Sequence, residues 1–283
     1  MNANRRRIGF MQGRLSPLID GRIQAFPWPC WEDEFPVASA LGMTCMEWTL
    51  DHDRIFENPV MTPAGRATIR RLSAENGVRV PSLTADCCMQ APFWKAADTD
   101  RNTFIATFEQ ILLACSDVGI KIIVVPLVDN GAPGSRAEWM ELEKALRDFE
   151  PLLRRNDMVV AFEFDLPPRQ VVEFIARLPV HGFGINYDIG NSAGLGWDPT
   201  EEIGLLASRI VNAHVKDRVL GGTTVPLGEG AARFPLVFSL LRAAGYSNNF
   251  ILQTARAADG EHIEAIRRYG EFVAEQIGDL RGS

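Results

Sequence analysis

The chain has 283 residues, 46% of them hydrophobic and 23% charged, which is ordinary for a globular protein and enough for a large core. A formal net charge of −7 argues against a nucleic-acid or anionic-membrane partner, but a local cluster of arginines could still take a small anionic substrate. Five cysteines, odd in number and without CxxC spacing, read as reduced thiols of a cytoplasmic protein; no run approaches the roughly 18 apolar residues of a membrane helix.

The basic start Arg5-Arg6-Arg7 is not followed by the apolar core of an export signal. The first apolar run, Arg7 to Met11, leads instead through Gln12-Gly13-Arg14 to an aromatic-rich loop, Phe26-Pro27-Trp28-Pro29-Cys30-Trp31. Further runs follow at Met43 to Trp48, Val78 to Thr84, Lys121 to Leu127, Met158 to Phe164, Gly184 to Tyr187, Ile210 to Val215 and Phe250 to Gln253. Each is short and nearly continuous in apolar residues, as a strand covered on both faces should be. Between them, stretches such as Arg101 to Val118, Glu138 to Arg155 and Arg233 to Ala244 repeat apolar residues at helical spacing. Asn76-Gly77, Val118-Gly119 and Ala244-Gly245 place glycine where a helix C-terminus wants it. Eight strand-then-helix units predict an α/β fold, a single-domain (β/α)8 TIM barrel over residues 1–283. The alternative is an open doubly wound sheet; against it, no GxGxxG or GxxxxGK[ST] loop follows the first strand.

In a barrel the chemistry sits where the strands end, and alternation decides which side chains face inward. Glu163 is in phase with Val159 and Ala161; Asp188 with Gly184 and Asn186; His214 with Asn212; Gln253 with Ile251. Taken singly, the His reads as a hydrogen-bonded core residue and each acid as a helix cap. Together they deliver two carboxylates, an imidazole and an amide oxygen to one rim. That set suits one divalent ion, Mn²⁺, Mg²⁺, Co²⁺ or Zn²⁺.

The segments Met11-Gln12-Gly13-Arg14-Leu15-Ser16-Pro17, Glu47-Trp48, Glu163, Asp188-Ile189-Gly190-Asn191, His214-Val215-Lys216-Asp217, Val225-Pro226-Leu227-Gly228-Glu229-Gly230 and Ile251-Leu252-Gln253 resemble the xylose isomerase-like barrel superfamily, in its sugar-phosphate isomerase/epimerase branch. The resemblance spans nearly the whole chain; the HxKD and PLGxG pair carries its specificity, and no motif specifies the sugar. It implies a metal bound by Glu, Asp, His and a second Glu, the two Glu residues exchanging protons on opposite faces of a sugar. The first three positions fall on Glu163, Asp188 and His214. The fourth falls on Gln253, a departure, because an amide does not carry protons near neutral pH. One base suffices for a 1,2 aldose–ketose isomerisation, so Gln253 shifts the expectation from epimerase toward isomerase, unless Glu47 or Lys216 supplies a second proton. Catalytic candidates are therefore Glu163, Glu47 and Lys216.

Candidate substrate contacts are Arg14 (otherwise a salt bridge to Glu47), Asn191, Asp217, Arg218 and Arg256, whose guanidinium suits phosphate or carboxylate. Asp86 reads equally as a turn or a site residue. His52, His181 and His262 read as structural or surface. The glycines around 221–230 suit a loop that closes over a ligand. The aromatic loop suits a pocket wall or a subunit contact, and the resemblance implies a homodimer or higher homo-oligomer. Two other readings stand beside a carbohydrate isomerase/epimerase. One is a catalytically degenerate sugar-binding barrel. The other is a metal-dependent phosphodiesterase like the abasic-site endonucleases of this fold, disfavoured by only four histidines and the acidic charge.

Overall fold

The computed structural model describes residues 7–257 and 260–278; Arg5 and Arg6 lie outside the described residues. Eight strands form the barrel: β1 (Ile8–Met11), β2 (Cys45–Thr49), β3 (Arg79–Thr84), β4 (Ile122–Leu127), β5 (Val159–Phe164), β6 (Phe183–Asp188), β7 (Ile210–Val215) and β10 (Phe250–Leu252). All pair in parallel and close in the order β1-β10-β7-β6-β5-β4-β3-β2. Every predicted apolar run is therefore a barrel strand. A short antiparallel hairpin, β8 (Asp217–Arg218) with β9 (Thr224–Val225), stands above the end of β7.

The helices that cover the barrel are α1 (Glu34–Ala40), α2 (Pro63–Asn76), α3 (Asp86–Gln90), α4 (Asp98–Val118), α5 (Arg136–Asn156), α6 (Pro168–Ile175), α7 (Ile189–Leu195), α8 (Pro199–Leu206), α9 (Phe234–Ala243) and α10 (His262–Gly278). Left-handed glycines follow α2, α4 and α9 at Gly77, Gly119 and Gly245, where the sequence puts helix stops. Among the described residues no helix is long and apolar enough to cross a membrane.

Strand alternation sorts the side chains. On β5, Phe162 and Phe164 face outward and meet Phe174 of α6 at ring separations of 5.4 and 5.6 Å. Ala161 and Glu163 are left facing the barrel axis. The upper interior is polar. Glu47, Thr84, Asn186, Asn212 and His214 are all buried there and hydrogen-bonded to one another, which satisfies groups that would otherwise be costly to bury.

The aromatic loop packs inward. Phe26 is fully buried with its ring 5.4 Å from Trp48 at the end of β2, and Trp31 lies 5.5 Å from the same indole. Trp28 is capped by the Arg54 guanidinium at 3.9 Å. These rings pack on the core at β2 and are absent from the lining of the cavity at the strand ends, so the loop extends the core and does not wall the pocket.

Candidate metal centre and active-site cavity

The strand ends open into a cavity of about 620 Å³ whose lining includes Arg14, Gln24, Asp86, Glu163, Asn191, Lys216, Arg218 and Gln253. Glu163 lines it, and Glu163, Asp188 and His214, each contributing one ligand-type atom, come within 4.8 Å of one another. Register brings them there. Asp188 pairs with His214 across β6 and β7, and Ile251, two residues before Gln253, pairs with His214 across β10.

His214 is held from both ring nitrogens. Nε2 faces Glu47 Oε1 at 2.7 Å, and Nδ1 lies 3.1 Å from Glu163 Oε2 and 3.8 Å from Asp188 Oδ2. Burial opposes an imidazolium, but the neighbouring carboxylates, Glu47 foremost, overcome it and raise the His214 pKa well above its ordinary value. Burial likewise pushes the Asp188 carboxyl up, yet Lys216 at 2.8 Å and His214 hold it well below the usual carboxylate range. Asp188 divides its oxygens: Oδ1 accepts from Asn191 N at 2.8 Å, capping α7, while Oδ2 faces Lys216 and His214. One oxygen of this residue thus serves as the helix cap and the other is left on the side of His214. Glu163 is steered by two amides, Asn191 Nδ2 donating to Oε1 at 2.6 Å and Asn186 Nδ2 to Oε2 at 2.7 Å.

These residues fit a divalent cation. Three buried carboxylates converge on one imidazole, a concentration of negative charge that a divalent ion would offset. With Nε2 turned to Glu47, Nδ1 is the ring nitrogen on the side of Glu163 and Asp188, with Asn186 Nδ2 3.0 Å from it. The orientation of Gln253 agrees. Its Nε2 donates to Met11 Sδ at 3.4 Å and to Gln24 Oε1 at 3.3 Å, while its buried Oε1 has no hydrogen-bond partner among the described residues. An unsatisfied buried amide oxygen is costly, and a cation is a partner for it.

Several candidates are placed otherwise than expected. Glu47 is fully buried behind His214, with Thr84 Oγ1 and Asn212 Nδ2 donating to it at 2.6 and 2.8 Å, so it orients the imidazole and does not reach a substrate. Asp217 is fully buried and turned from the cavity; it accepts from the backbone N–H groups of Gly228, Gly230 and Ala232 at 2.9, 2.9 and 3.0 Å. The HxKD and PLGxG motifs are therefore one unit, the acid of the first folding the loop of the second. Arg256 donates to the carbonyls of Gly13 and Ser16, clamping the loop after β1 instead of facing a ligand. Glu34 holds the same loop by accepting from Gly13 N and Leu15 N, the latter at 3.0 Å.

Arg14 does line the cavity, but its donors go to the carbonyls of Thr254 and Ile23 and to Gln24 Oε1, not to Glu47. Burial, reinforced by Arg256, lowers its pKa to about 9. Lys216, Arg218 and Asn191 face the cavity together, with Arg218 Nη1 donating to Asn191 Oδ1 at 3.1 Å. Sequence reasoning gave no role to Asn186 and Asn212, although both share phase with the candidate ligands. It missed Gln24 altogether, since a long loop carries no periodic signal.

The sequence model of the family described as "Xylose isomerase-like TIM barrel" matches residues 35–271. The L-ribulose-5-phosphate 3-epimerase UlaE of Escherichia coli is 25% identical over 234 residues, covering 79% of this chain and 82% of that protein. Among solved structures, D-psicose 3-epimerase in the presence of D-fructose matches with a TM-score of 0.73 at 14% identity, covering 96% of this chain and 99% of the other. The IOLI protein with a bound zinc atom matches with a TM-score of 0.74 at 14% identity, covering 98% and 100%. With the closed barrel, the carboxylate–imidazole group at its mouth and a family match running through β2 to α10, the chain belongs to the xylose isomerase-like TIM barrel family.

Proposed function

We propose that the protein is a divalent-metal-dependent carbohydrate isomerase or epimerase that moves a proton through an enediolate. The observation that carries this reading is the buried Glu163–Asp188–His214 group, whose Glu163 lines the cavity together with Gln253, and Gln253 Oε1 is buried with no hydrogen-bond partner among the described residues. Those four residues would hold the ion, one of Mn²⁺, Mg²⁺, Co²⁺ or Zn²⁺. When bound, it supplies Lewis acidity to adjacent carbonyl and hydroxyl oxygens of a sugar. Glu163, steered by Asn186 and Asn191, takes the proton from the carbon next to the carbonyl. Lys216, Arg218 and Asn191 contact substrate oxygens from one wall, and Arg14 contributes fixed positive charge from another. Glu47 positions His214. The names of the L-ribulose-5-phosphate 3-epimerase and the D-psicose 3-epimerase give a ketose phosphate and a ketose as their substrates, which supports a small sugar or sugar phosphate as substrate. All five cysteines are free, in keeping with a reducing cytoplasm.

Gln253 carries no proton, so the ligand set alone supports transfer along one face. The test is to incubate Mn²⁺-loaded protein with L-ribulose 5-phosphate, D-psicose and D-fructose in D₂O and follow deuterium at the carbons flanking the carbonyl. Exchange that falls by about 100-fold or more in Glu163→Gln supports the reading. Binding of a sugar without exchange would favour the sugar-binding barrel, for which Gln253 is the supporting observation.

A further inference from the structure

We propose that Asp86 is the second proton-carrying group of the site and that it acts on the face of the sugar opposite Glu163, so that the protein epimerises. This inference rests on the reading above and deepens it. The ligand set occupies β5, β6, β7 and β10, four consecutive strands of the ring. Asp86 follows β3, which stands across the ring from the β7 of His214 and two places from the β5 of Glu163, and its side chain lines the same cavity. It belongs to a hydrogen-bonded row that ends at position 253. Gln24 Nε2 donates to Asp86 Oδ2 at 2.7 Å, and Gln24 Oε1 accepts from both Arg14 Nη2 and Gln253 Nε2 at 3.3 Å. Asp86, Gln24, Arg14 and Gln253 thus form one wall, with Glu163 on another, and Asp86 is the carboxyl of that wall.

The surroundings suit the task. Asp86 is buried, and burial, with Asp51 and Glu163 adding negative potential against the hydrogen bond from Gln24 and the charge of His214, raises its pKa to about 7. Arg14 also faces it. A carboxyl in that range gives and takes a proton near neutral pH. Asp165 and Lys216 are less suited. Asp165 lies just past the end of β5, two residues after Glu163 and so on its side of the cavity, and Lys216 is ion-paired with Asp188.

The step balances as follows. The Glu163 carboxylate takes the proton from the carbon beside the carbonyl, and the bond's electron pair moves to the carbonyl oxygen to give the enediolate. The Asp86 carboxyl then delivers its O–H proton to the same carbon from the other face as the electron pair returns. Water resets both carboxyls.

Asp86→Asn keeps an acceptor for Gln24, and its Mn²⁺ affinity reports whether the site is intact. With L-ribulose 5-phosphate or D-psicose in D₂O, we expect inversion to fall by about 100-fold or more while deuterium still enters recovered substrate at a rate within about threefold of wild type. Glu163→Gln should lose both. In metal-free protein, a ¹³C carboxyl resonance absent from Asp86→Asn should titrate with a midpoint of about 7. Wild-type inversion rates in Asp86→Asn, loss of exchange together with inversion, or titration in the ordinary carboxylate range would each overturn the assignment. Absence of any exchange by the wild type would overturn the enzymatic reading, and this inference with it.

Discussion

Glu47 touches no substrate in this arrangement, yet the behaviour of His214 depends on it. The Nε2–Glu47 contact of 2.7 Å fixes the tautomer and presses negative charge onto the ring. Glu47→Gln keeps a partner for the ring but removes the charge, and metal affinity measured by calorimetry should fall by about 10- to 100-fold. An affinity unchanged by the substitution would mean that Glu47 merely fills space. Asp86 makes a prediction of opposite sign, on stability. Its folded pKa, about 7, lies above the ordinary aspartate value, so the folded protein binds that proton more tightly than the unfolded chain does. Stability from this group is complete at low pH and is lost as pH rises toward about 7. Asp86→Asn should therefore gain thermal stability relative to wild type between about pH 4 and about pH 8; a pH-independent difference would contradict the raised pKa.

Among the elements, the loop after β7 shows how two motifs apart in sequence meet in space. Asp217 receives three backbone N–H groups from residues 228–232, and a Cβ placed on Gly230 would stand 2.2 Å from Asp217 Oδ1 and 2.6 Å from the Arg218 carbonyl. Glycine is required there by close approach, not by backbone angle. Asp217→Ala leaves those donors without their acceptor and should loosen the β8–β9 hairpin, whose Thr224 lines the cavity. The expected result is a raised KM and faster amide exchange over residues 218–232, with Mn²⁺ affinity within about twofold of wild type. A lower metal affinity with unchanged exchange would place Asp217 in the metal centre instead. The strands were legible because each is a short apolar run, and inward facing followed from alternation at Glu163, Asp188 and His214. Residues in long loops were not legible. Gln24 and Arg256 acquire their contacts only when the loop after β1 folds back over the barrel mouth, and no local pattern encodes that return. Glu47 and Asp217 were misjudged for a related reason: alternation says which way a side chain points, not how deep it lies or which neighbour reaches it first.

For the molecule as a whole, closure of the ring is what sets the ligand positions, since β10 must pair with both β7 and β1 before Ile251 can lie against His214 and carry Gln253 to the rim. The ion and the closed barrel should therefore be coupled, and cation present at about 100 times its dissociation constant should stabilise the fold by about 2.7 kcal/mol. The most direct test is calorimetric titration of metal-free protein with Mn²⁺, repeated on Asp188→Asn and Glu163→Gln. One ion per chain, with affinity reduced by about 100-fold or more in each variant, is the expected result. No binding to the wild-type chain, or equal affinity in all three proteins, would contradict a cation held by Glu163, Asp188, His214 and Gln253.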